Sequence, residues 1–197
     1  MKRSIALALL ALFVSAAAYA ADAPKMTAEQ QAMMDKMTKA ATPGPKHELI
    51  KKMSGEWACT VDMQMDPSQP AEVSQSTASI TMLMDGRYVQ ELDSGNMMGM
   101  PFSGMGIYGY DNVIGKYVST WIDNMGTGIM HGTGTLDPSG KAIHWTSTMS
   151  DPMTGKPTTE HLVTTWADDN HYKLEMYSTP PGAKKEMKTM TIEYTRK

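Results

Sequence analysis

Methionine is the residue type whose abundance and spacing first suggest chemistry. The chain of 197 residues contains 21 Met and only 2 Phe, and several of the methionines lie two residues apart. In a β-strand this spacing places both thioethers on one face, and Cu(I) prefers thioether and imidazole ligands. The alternative that we favour is that methionine fills the core in place of Phe or Leu, with no cofactor. The candidate copper ligands are Met97, Met98, Met100, Met130 and His131.

A second group of residues suggests a binding site for a small molecule. In the run 116–123, Tyr117 and Trp121 share one face of a strand with Ser119 and Asp123. This mixed character suits a pocket for a hydrophobic or amphipathic ligand inside a β-barrel. The alternative interpretation is that such rings are ordinary strand residues between core and surface. The candidate lining residues are Tyr108, Tyr110, Tyr117, Trp121, Trp145 and Trp166.

The sequence evidence for a catalytic site is weaker than the evidence for a binding site. The chain has no Gly-x-Ser-x-Gly nucleophile elbow, and its single cysteine, Cys59, lies in an alternating apolar pattern that predicts a buried thiol. Glu91, Asp93, Asp111 and Asp123 recur near predicted strand ends, where we interpret them as turn caps rather than as an acid–base pair. We therefore assign no catalytic residue. An enzyme acting on a hydrophobic substrate in the barrel remains a lesser hypothesis.

Residues 1–20 have the pattern of a signal peptide. Lys2-Arg3 precedes an apolar run, 5–14, that is too short to span a bilayer, and Ala18-Tyr19-Ala20 supplies the small residues of a cleavage site. We expect cleavage before Ala21, a periplasmic or secreted location, and no stable membrane insertion afterwards. The net charge of −3, without a basic cluster, predicts that nucleic acid is not a partner.

The remaining chain divides into a leader and one domain. Residues 21–45 form a predicted helical leader, in which Thr27 and Gln30 have the spacing of a capping box. In the domain, residues 46–197, apolar and polar residues alternate from Trp57 to Met65, which predicts a strand with one buried face. Nine further strand-like runs follow, at 75–84, 86–93, 101–110, 116–123, 128–136, 141–150, 157–166, 171–178 and 186–195.

These runs are separated by turn-forming residues such as Asp85-Gly86 and Asp137-Pro138-Ser139-Gly140. A meander of about ten short strands must protect its edges, and closure does this most completely. We therefore predict a mostly β fold: an antiparallel up-and-down β-barrel of about ten strands with a short N-terminal helical segment.

Two distant segments resemble the calycin arrangement found in lipocalins and fatty-acid-binding proteins. Gly55-Glu56-Trp57 opens the first predicted strand, and Arg196 ends the last. In calycins a Gly-x-Trp on the first strand meets an arginine of the last strand at the base of the barrel. The resemblance implies barrel closure through Trp57 and Arg196, with the guanidinium over the indole.

A longer resemblance is to a secreted bacterial family designated domain of unknown function 1579. Its carriers are "HELIKKMSGEW", "GRYVQE", "GMPFSGMGIYGYDNVIGKYVSTWIDNMGTG", "SDPMTGK" and "IEYTRK", which together cover most of residues 47–197. The family implies a calycin-like barrel in an exported setting and brings no activity. The leading hypothesis is therefore an exported protein that binds a small, partly apolar ligand inside the barrel. A periplasmic copper-handling protein is the alternative.

Overall fold

The structure, a computed structural model, describes residues 26–64, 68–152, 154–179 and 185–197. The predicted signal peptide lies outside the described residues, as does Met65 at the predicted end of the first strand. The helices are α1 (Ala28–Ala41) and α2 (Pro45–Lys51), and a 3-10 turn spans Met84–Gly86. The strands are β1 (Gly55–Met63), β2 (Glu72–Leu83), β3 (Tyr88–Met97), β4 (Met100–Asp111), β5 (Lys116–Asp123), β6 (Met130–Leu136), β7 (Ala142–Ser150), β8 (Pro157–Trp166), β9 (His171–Ser178) and β10 (Met187–Arg196).

The chain divides into two units, one ending at Lys39 and one from Ala40 to Lys197. In the first, α1 begins at the predicted capping box: the Gln30 amide donates to Thr27 Oγ1 at 3.2 Å, and the Thr27 amide donates to Gln30 Oε1 at 2.8 Å. No side chain of α1 is buried. Within the described residues, no helix combines the length and hydropathy required to cross a bilayer.

The second unit begins with the short helix α2, which leads into the barrel. Pro45 stands at the first helical position, where its missing N–H costs no hydrogen bond. The His47 ring accepts a hydrogen bond at Nδ1 from the Gly44 amide at 3.0 Å. Ile50 and, just beyond the helix, Met53 are buried in the barrel core. The helix therefore contributes apolar side chains to one end of the barrel.

The ten strands form one closed antiparallel barrel in which each strand pairs with its neighbours in the chain. β1 completes the ring by pairing with β10 as well as with β2, in a register that runs from Trp57 opposite Arg196 to Met63 opposite Met190. Closure leaves no long unpaired strand edge in this sheet. The predicted fold class, a mostly β antiparallel barrel of about ten strands with an N-terminal helical segment, is confirmed.

The connection between β3 and β4 differs from the prediction. β3 continues to Met97, four residues beyond its predicted end, and Met97 pairs directly with Met100. The two residues between them, Met98 (φ 52°) and Gly99 (φ 75°), both have left-handed backbone conformations, as in a type I′ hairpin turn. Met98 therefore belongs to a turn and shares no strand face with Met100.

The core of the barrel is aromatic, and the prediction that methionine fills it is wrong. Met53 is the only methionine of the described residues that belongs to the buried core. Most of the space is filled by rings in edge-to-face or stacked contact, such as Tyr172 and Tyr194, whose centroids lie 4.1 Å apart. Large planar side chains supply more buried area per residue than methionine does. The buried rings are Trp57, Tyr117, Trp145, Trp166, Tyr172 and Tyr194.

Arg196 joins the first and last strands at the end of the barrel next to α2. Its guanidinium carbon lies 4.1 Å from the centroid of the Trp57 ring. Its nitrogens also donate to the carbonyl oxygens of Ser54 (2.7 Å), Lys52 (2.8 Å) and Asp169 (2.9 and 3.0 Å). Gly55 has φ of 136°, and a Cβ at this residue would collide with the guanidinium. The Gly-x-Trp segment is thus shaped to receive the arginine.

Replacing Arg196 by Lys should lower the free energy of unfolding by about 2 kcal/mol, because an ammonium cannot donate to three separated carbonyls while stacking on an indole. Arg87→Lys is the matched control, since Arg87 is partly exposed, donates to the Met84 carbonyl and forms only a 3.8 Å ion pair with Asp85. We expect a change within about 0.5 kcal/mol for the control. Urea unfolding followed by tryptophan fluorescence measures both values. Equal stability of the two variants would contradict the closing role of Arg196.

Candidate functional site

The inner face of the barrel changes character along its axis. We call the end covered by α2 the closed end and the opposite end the open end. Inner-face side chains near the closed end, such as Trp57 and Ile143, are buried. Toward the open end, residues with the same inward parity are only partly buried or are exposed, among them Met63, Phe102, Trp121 and Met149. The interior is therefore packed at one end and reaches solvent at the other.

Two carboxyl groups lie between these regions on β3. Glu91 and Asp93 alternate with outward residues and share the inner face with the buried Val89. Glu91 is 1% exposed and Asp93 is 8% exposed. The Tyr108 and Tyr194 hydroxyls donate hydrogen bonds to the Glu91 carboxyl. Because the two acids occupy alternate positions of one strand, their side chains lie side by side on the inner face.

The surroundings keep this pair close to neutral. Burial, reinforced by the adjacent Glu91 carboxyl, raises the pKa of Asp93 from 3.8 to about 8. Burial also raises the pKa of Glu91, and the hydrogen bonds from Tyr108 and Tyr194 oppose that shift only in part. Both shifts follow from the cost of placing a negative charge in a medium of low polarity. Two neighbouring carboxyl groups with elevated pKa values are a feature of functional sites.

The interpretation of Glu91 and Asp93 as turn caps is wrong, because both lie within β3 and point inward. The same interpretation fits the other two acids. Asp111 Oδ1 accepts a hydrogen bond from the Val113 amide, and Asp123 Oδ1 accepts one from the Met125 amide.

β4, which pairs with β3, has glycines opposite the two acids and therefore leaves space beside them. Gly104 lies opposite Asp93, and Gly106 lies opposite Glu91. The Trp121 ring of β5 occupies the volume that a Cβ at Gly104 would need, and it also approaches Gly106. Its Nε1 donates to Asp123 Oδ2 at 2.8 Å, which fixes the orientation of the indole. The two glycines thus allow an indole to lie beside the carboxyl pair.

Other buried polar groups surround the pair and remain uncharged. Burial is the largest cause that raises the pKa of Cys59 to about 12, and the nearby Asp93 and Glu91 add to it. Burial likewise holds the pKa of Tyr172 well above its usual value of 10. Several buried oxygens in the described interior have no hydrogen-bond partner, namely Glu91 Oε1, Asp93 Oδ1, Tyr117 Oη, Tyr172 Oη and Glu160 Oε2.

A second polar strip follows the inner face on the far side of Tyr108. In register across four strands lie Ser119 (β5), Gly132 (β6), Ser147 (β7) and Glu160 (β8). The two serine hydroxyls lie above Gly132, and a Cβ at this residue would collide with both. Burial raises the pKa of Glu160, which is hydrogen-bonded to Ser178. The open half of the interior therefore combines polar strips with aromatic rings.

The structure separates the six aromatic residues predicted to line a cavity. Trp145 contacts Tyr108 and Tyr117 edge to face, with centroids 6.0 and 6.2 Å apart. Tyr110 packs on Tyr117 at 4.9 Å, and Trp166 packs in the same buried cluster. These five rings are packed as a layer toward the closed end. Trp121 lies outside this layer, partly buried and beside the carboxyl pair.

The five candidate copper ligands do not converge. Met97, Met98 and Met100 lie at the tip of the β3–β4 hairpin, where Met98 and Met100 are exposed. Met130 and His131 are consecutive in β6, so their side chains point to opposite faces; Met130 pairs with Trp121 on the inner face and His131 is exposed. No group of three or more His, Cys, Asp or Glu side chains suited to a metal ion occurs among the described residues.

A depression of about 500 Å³ lies over β3, β4 and β5, and Asp93 is one of its lining residues. Its apolar side chains, Leu92, Met105 and Ile122, pair directly across the three strands and belong to the outer face. We place the candidate site in the interior instead, because the buried oxygens without partners are there.

The pH dependence of stability should report the buried pair. Between pH values of about 4 and 8, Asp93 is protonated in the folded chain and ionised in the unfolded chain, so stability is lost as the pH rises through this window. Relative to Asp93→Asn, the free energy of unfolding of the native sequence should fall by about 1 kcal/mol per pH unit. Asp62→Asn, on the outer face of β1, is the control. Parallel pH profiles for the native sequence and Asp93→Asn in chemical denaturation would refute the assignment.

The chain was compared with solved structures, curated proteins and protein-family models. Rv2717c from M. tuberculosis is similar with a TM-score of 0.57 and 14% identity, over 79% of this chain and 99% of that chain, and this shows the fold alone. A redesigned beta barrel is similar with a TM-score of 0.40 and 13% identity, over 75% of this chain and 94% of that chain. No curated protein matches the chain. Residues 42–196 match the family described as "Protein of unknown function (DUF1579)", and the chain therefore belongs to that family.

Proposed function

We propose that this protein is an exported binding protein for a small, partly apolar molecule, held in the open half of the barrel above the aromatic layer. One observation carries the proposal: nearly fully buried carboxyl oxygens of Glu91 and Asp93 have no partner in an interior that reaches solvent at one end. Buried polar atoms without partners cost free energy, and a bound ligand would satisfy them.

The inner face around these oxygens has the composition of a small-molecule site. Trp121 and Phe102 offer apolar surface toward the open end, while Ser119 and Glu160 offer hydrogen-bonding groups. Pockets of this kind combine apolar lining with a few fixed polar groups. The proposal moves the ligand away from the aromatic layer that the sequence suggested, because the rings of that layer pack against one another.

The exported location in this proposal depends on residues 1–20. A basic start, a short apolar run and Ala18-Tyr19-Ala20 support cleavage before Ala21. A ligand-binding barrel released in this way would meet small molecules outside the cytoplasm.

The neutral fluorescent probe N-phenyl-1-naphthylamine tests the binding function. We expect saturable binding of about one probe per chain with a micromolar dissociation constant. Ser119→Phe places a ring in the open half and should weaken binding roughly tenfold or more. Thr120→Phe adds the same ring on the outer face of β5 and should leave binding unchanged.

Equal binding by both variants, or no binding by the native sequence, would rule out the interior site. Native mass spectrometry of the protein purified from its own host gives a second readout that needs no variant. We expect a co-purifying organic ligand that is lost on denaturation, and a bare chain mass would count against the proposal.

One arrangement of methionines supports copper binding as a second candidate function. Met63 of β1 pairs directly with Met190 of β10, and Met190 pairs directly with Met176 of β9. All three lie on the inner face at the open end, and all three are partly buried. The inner surface of a barrel is concave, so neighbouring inward side chains converge, and three thioethers suit Cu(I). These ligands differ from the five that the sequence suggested.

Titration with Cu(I) against a competing chelator tests this candidate. The native sequence should bind one Cu(I) more tightly than about micromolar, and the triple change of Met63, Met176 and Met190 to Leu should lose binding while conserving core volume. The matched control changes the exposed Met33, Met34 and Met37 of α1 to Leu. Retention of tight binding by the inner-face triple variant, or absence of binding by the native sequence, would end the copper hypothesis.

A further inference from the structure

We infer that the polar group of the ligand is a cation, a protonated amine, which binds to Glu91 and Asp93 beside the Trp121 ring. This inference rests on the proposed function, because it names the class of ligand that the same interior site selects. A site of this kind would bind amines in preference to fatty acids and neutral lipids, which an apolar barrel interior would otherwise accept.

The first support is the pair of oxygens available to the ligand. Glu91 Oε1 and Asp93 Oδ1 are acceptors without partners, on side chains that are 1% and 8% exposed. The hydroxyls of Tyr108 and Tyr194 are hydrogen-bonded to the Glu91 carboxyl, which orients that side chain. An ammonium group carries donors only, and two free carboxyl oxygens are the acceptors that it requires.

The second support is the sign of the interior charge. By strand parity, the inner-face positions of the described strands include Glu91, Asp93, Asp123 and Glu160, and they include no Lys or His. The one arginine with inward parity is Arg196, which is at the closed end and already donates to three carbonyl groups. A carboxylate ligand would therefore find acidic groups and no basic side chain. An amine would find acidic groups that can each become anionic by releasing a proton.

The third support is the indole beside the carboxyl pair. Trp121 lies over Gly104 and approaches Gly106, the residues that pair with Asp93 and Glu91 across β3 and β4. A cation near the carboxyl oxygens would thus lie close to an aromatic face. The combination of an anionic acceptor and an indole is favourable for ammonium groups, since ring and carboxylate both attract the positive charge.

Binding of the amine releases a proton. In the free protein near neutral pH the pair is protonated, and burial raises the pKa of Asp93 to about 8. When the ammonium binds, a carboxyl O–H bond of the pair breaks and its proton goes to solvent, while the ammonium keeps its own protons. The site then contains a carboxylate paired with an ammonium, so the net charge of the interior is unchanged.

Four other titratable groups packed around the pair have pKa values far above neutral pH. Cys59 on β1 has its pKa raised to about 12, and burial holds the pKa values of Tyr108, Tyr172 and Tyr194 well above 10. Ser76 and Ala78 on β2 do not titrate. Asp123 on β5 accepts hydrogen bonds from Trp121 and Met125. The affinity for an amine should therefore fall about tenfold per pH unit as the pH decreases below about 8.

Displacement of N-phenyl-1-naphthylamine by three probes of equal chain length tests the selectivity. At pH 7.5 or thereabouts, dodecylammonium should displace the probe at a concentration roughly tenfold or more below that of dodecanol, and dodecanoate should be the weakest. If the probe binds and the three compounds displace it equally, the cation inference fails while the binding function stands. If the probe does not bind, both fail together.

Calorimetry with dodecylammonium in buffers of different ionisation enthalpy measures the proton directly. We expect release of about one proton per amine bound near pH 7, and none for dodecanol. Asp93→Asn should weaken amine binding roughly tenfold or more and abolish proton release, whereas Asp62→Asn should behave like the native sequence. Absence of proton release by the native sequence would overturn the inference without recourse to a variant.

Discussion

The pairing of β1 with β10 determines the environment of every inner-face side chain in the barrel. Arg196 fixes this pairing at the closed end through Trp57 and the carbonyl groups around it. If the sheet stayed open, Glu91 and Asp93 would face water and would ionise as ordinary surface acids. Because the sheet closes, the same residues are buried, and their protonation becomes linked to folding. Closure is therefore the condition for the chemistry of the interior as well as for its stability.

The buried aromatic rings and the carboxyl pair have opposite effects on the stability of the barrel. The rings of Trp57, Tyr172 and Tyr194 pack within 4.1–6.4 Å of one another and contribute favourable burial. The carboxyl pair adds a desolvation cost even when it is neutral. The packed layer offsets that cost, which explains how a barrel can retain polar groups without partners. It also explains why the methionines can lie elsewhere, at the open end and on the surface.

The architecture was predictable from local patterns, because period-two alternation and turn residues act locally. The alternation from Trp57 identified the buried face of β1, and the Asp- and Gly-containing turns marked most strand ends. The site was harder to predict. In β3, Tyr88 and Leu92 are apolar but face outward, while Glu91 and Asp93 face inward, so hydrophobicity assigns the wrong face. The available signal was the alternation of Gly104 and Gly106 in β4. These glycines pair with Asp93 and Glu91 and leave room for buried acids.

The orientation of the carboxyl pair follows from the core and not from the pair itself. Tyr194 stacks on Tyr172, and Tyr108 contacts Trp145, so both tyrosines that hold Glu91 are members of the ring network. They engage the Glu91 carboxyl and leave Oε1 without a partner. A site whose polar atoms are fixed by packed neighbours loses little conformational freedom when a ligand binds. The sequence suggested the rings of the aromatic layer as the lining of the binding site. In the structure they support the carboxyl pair and fix its position.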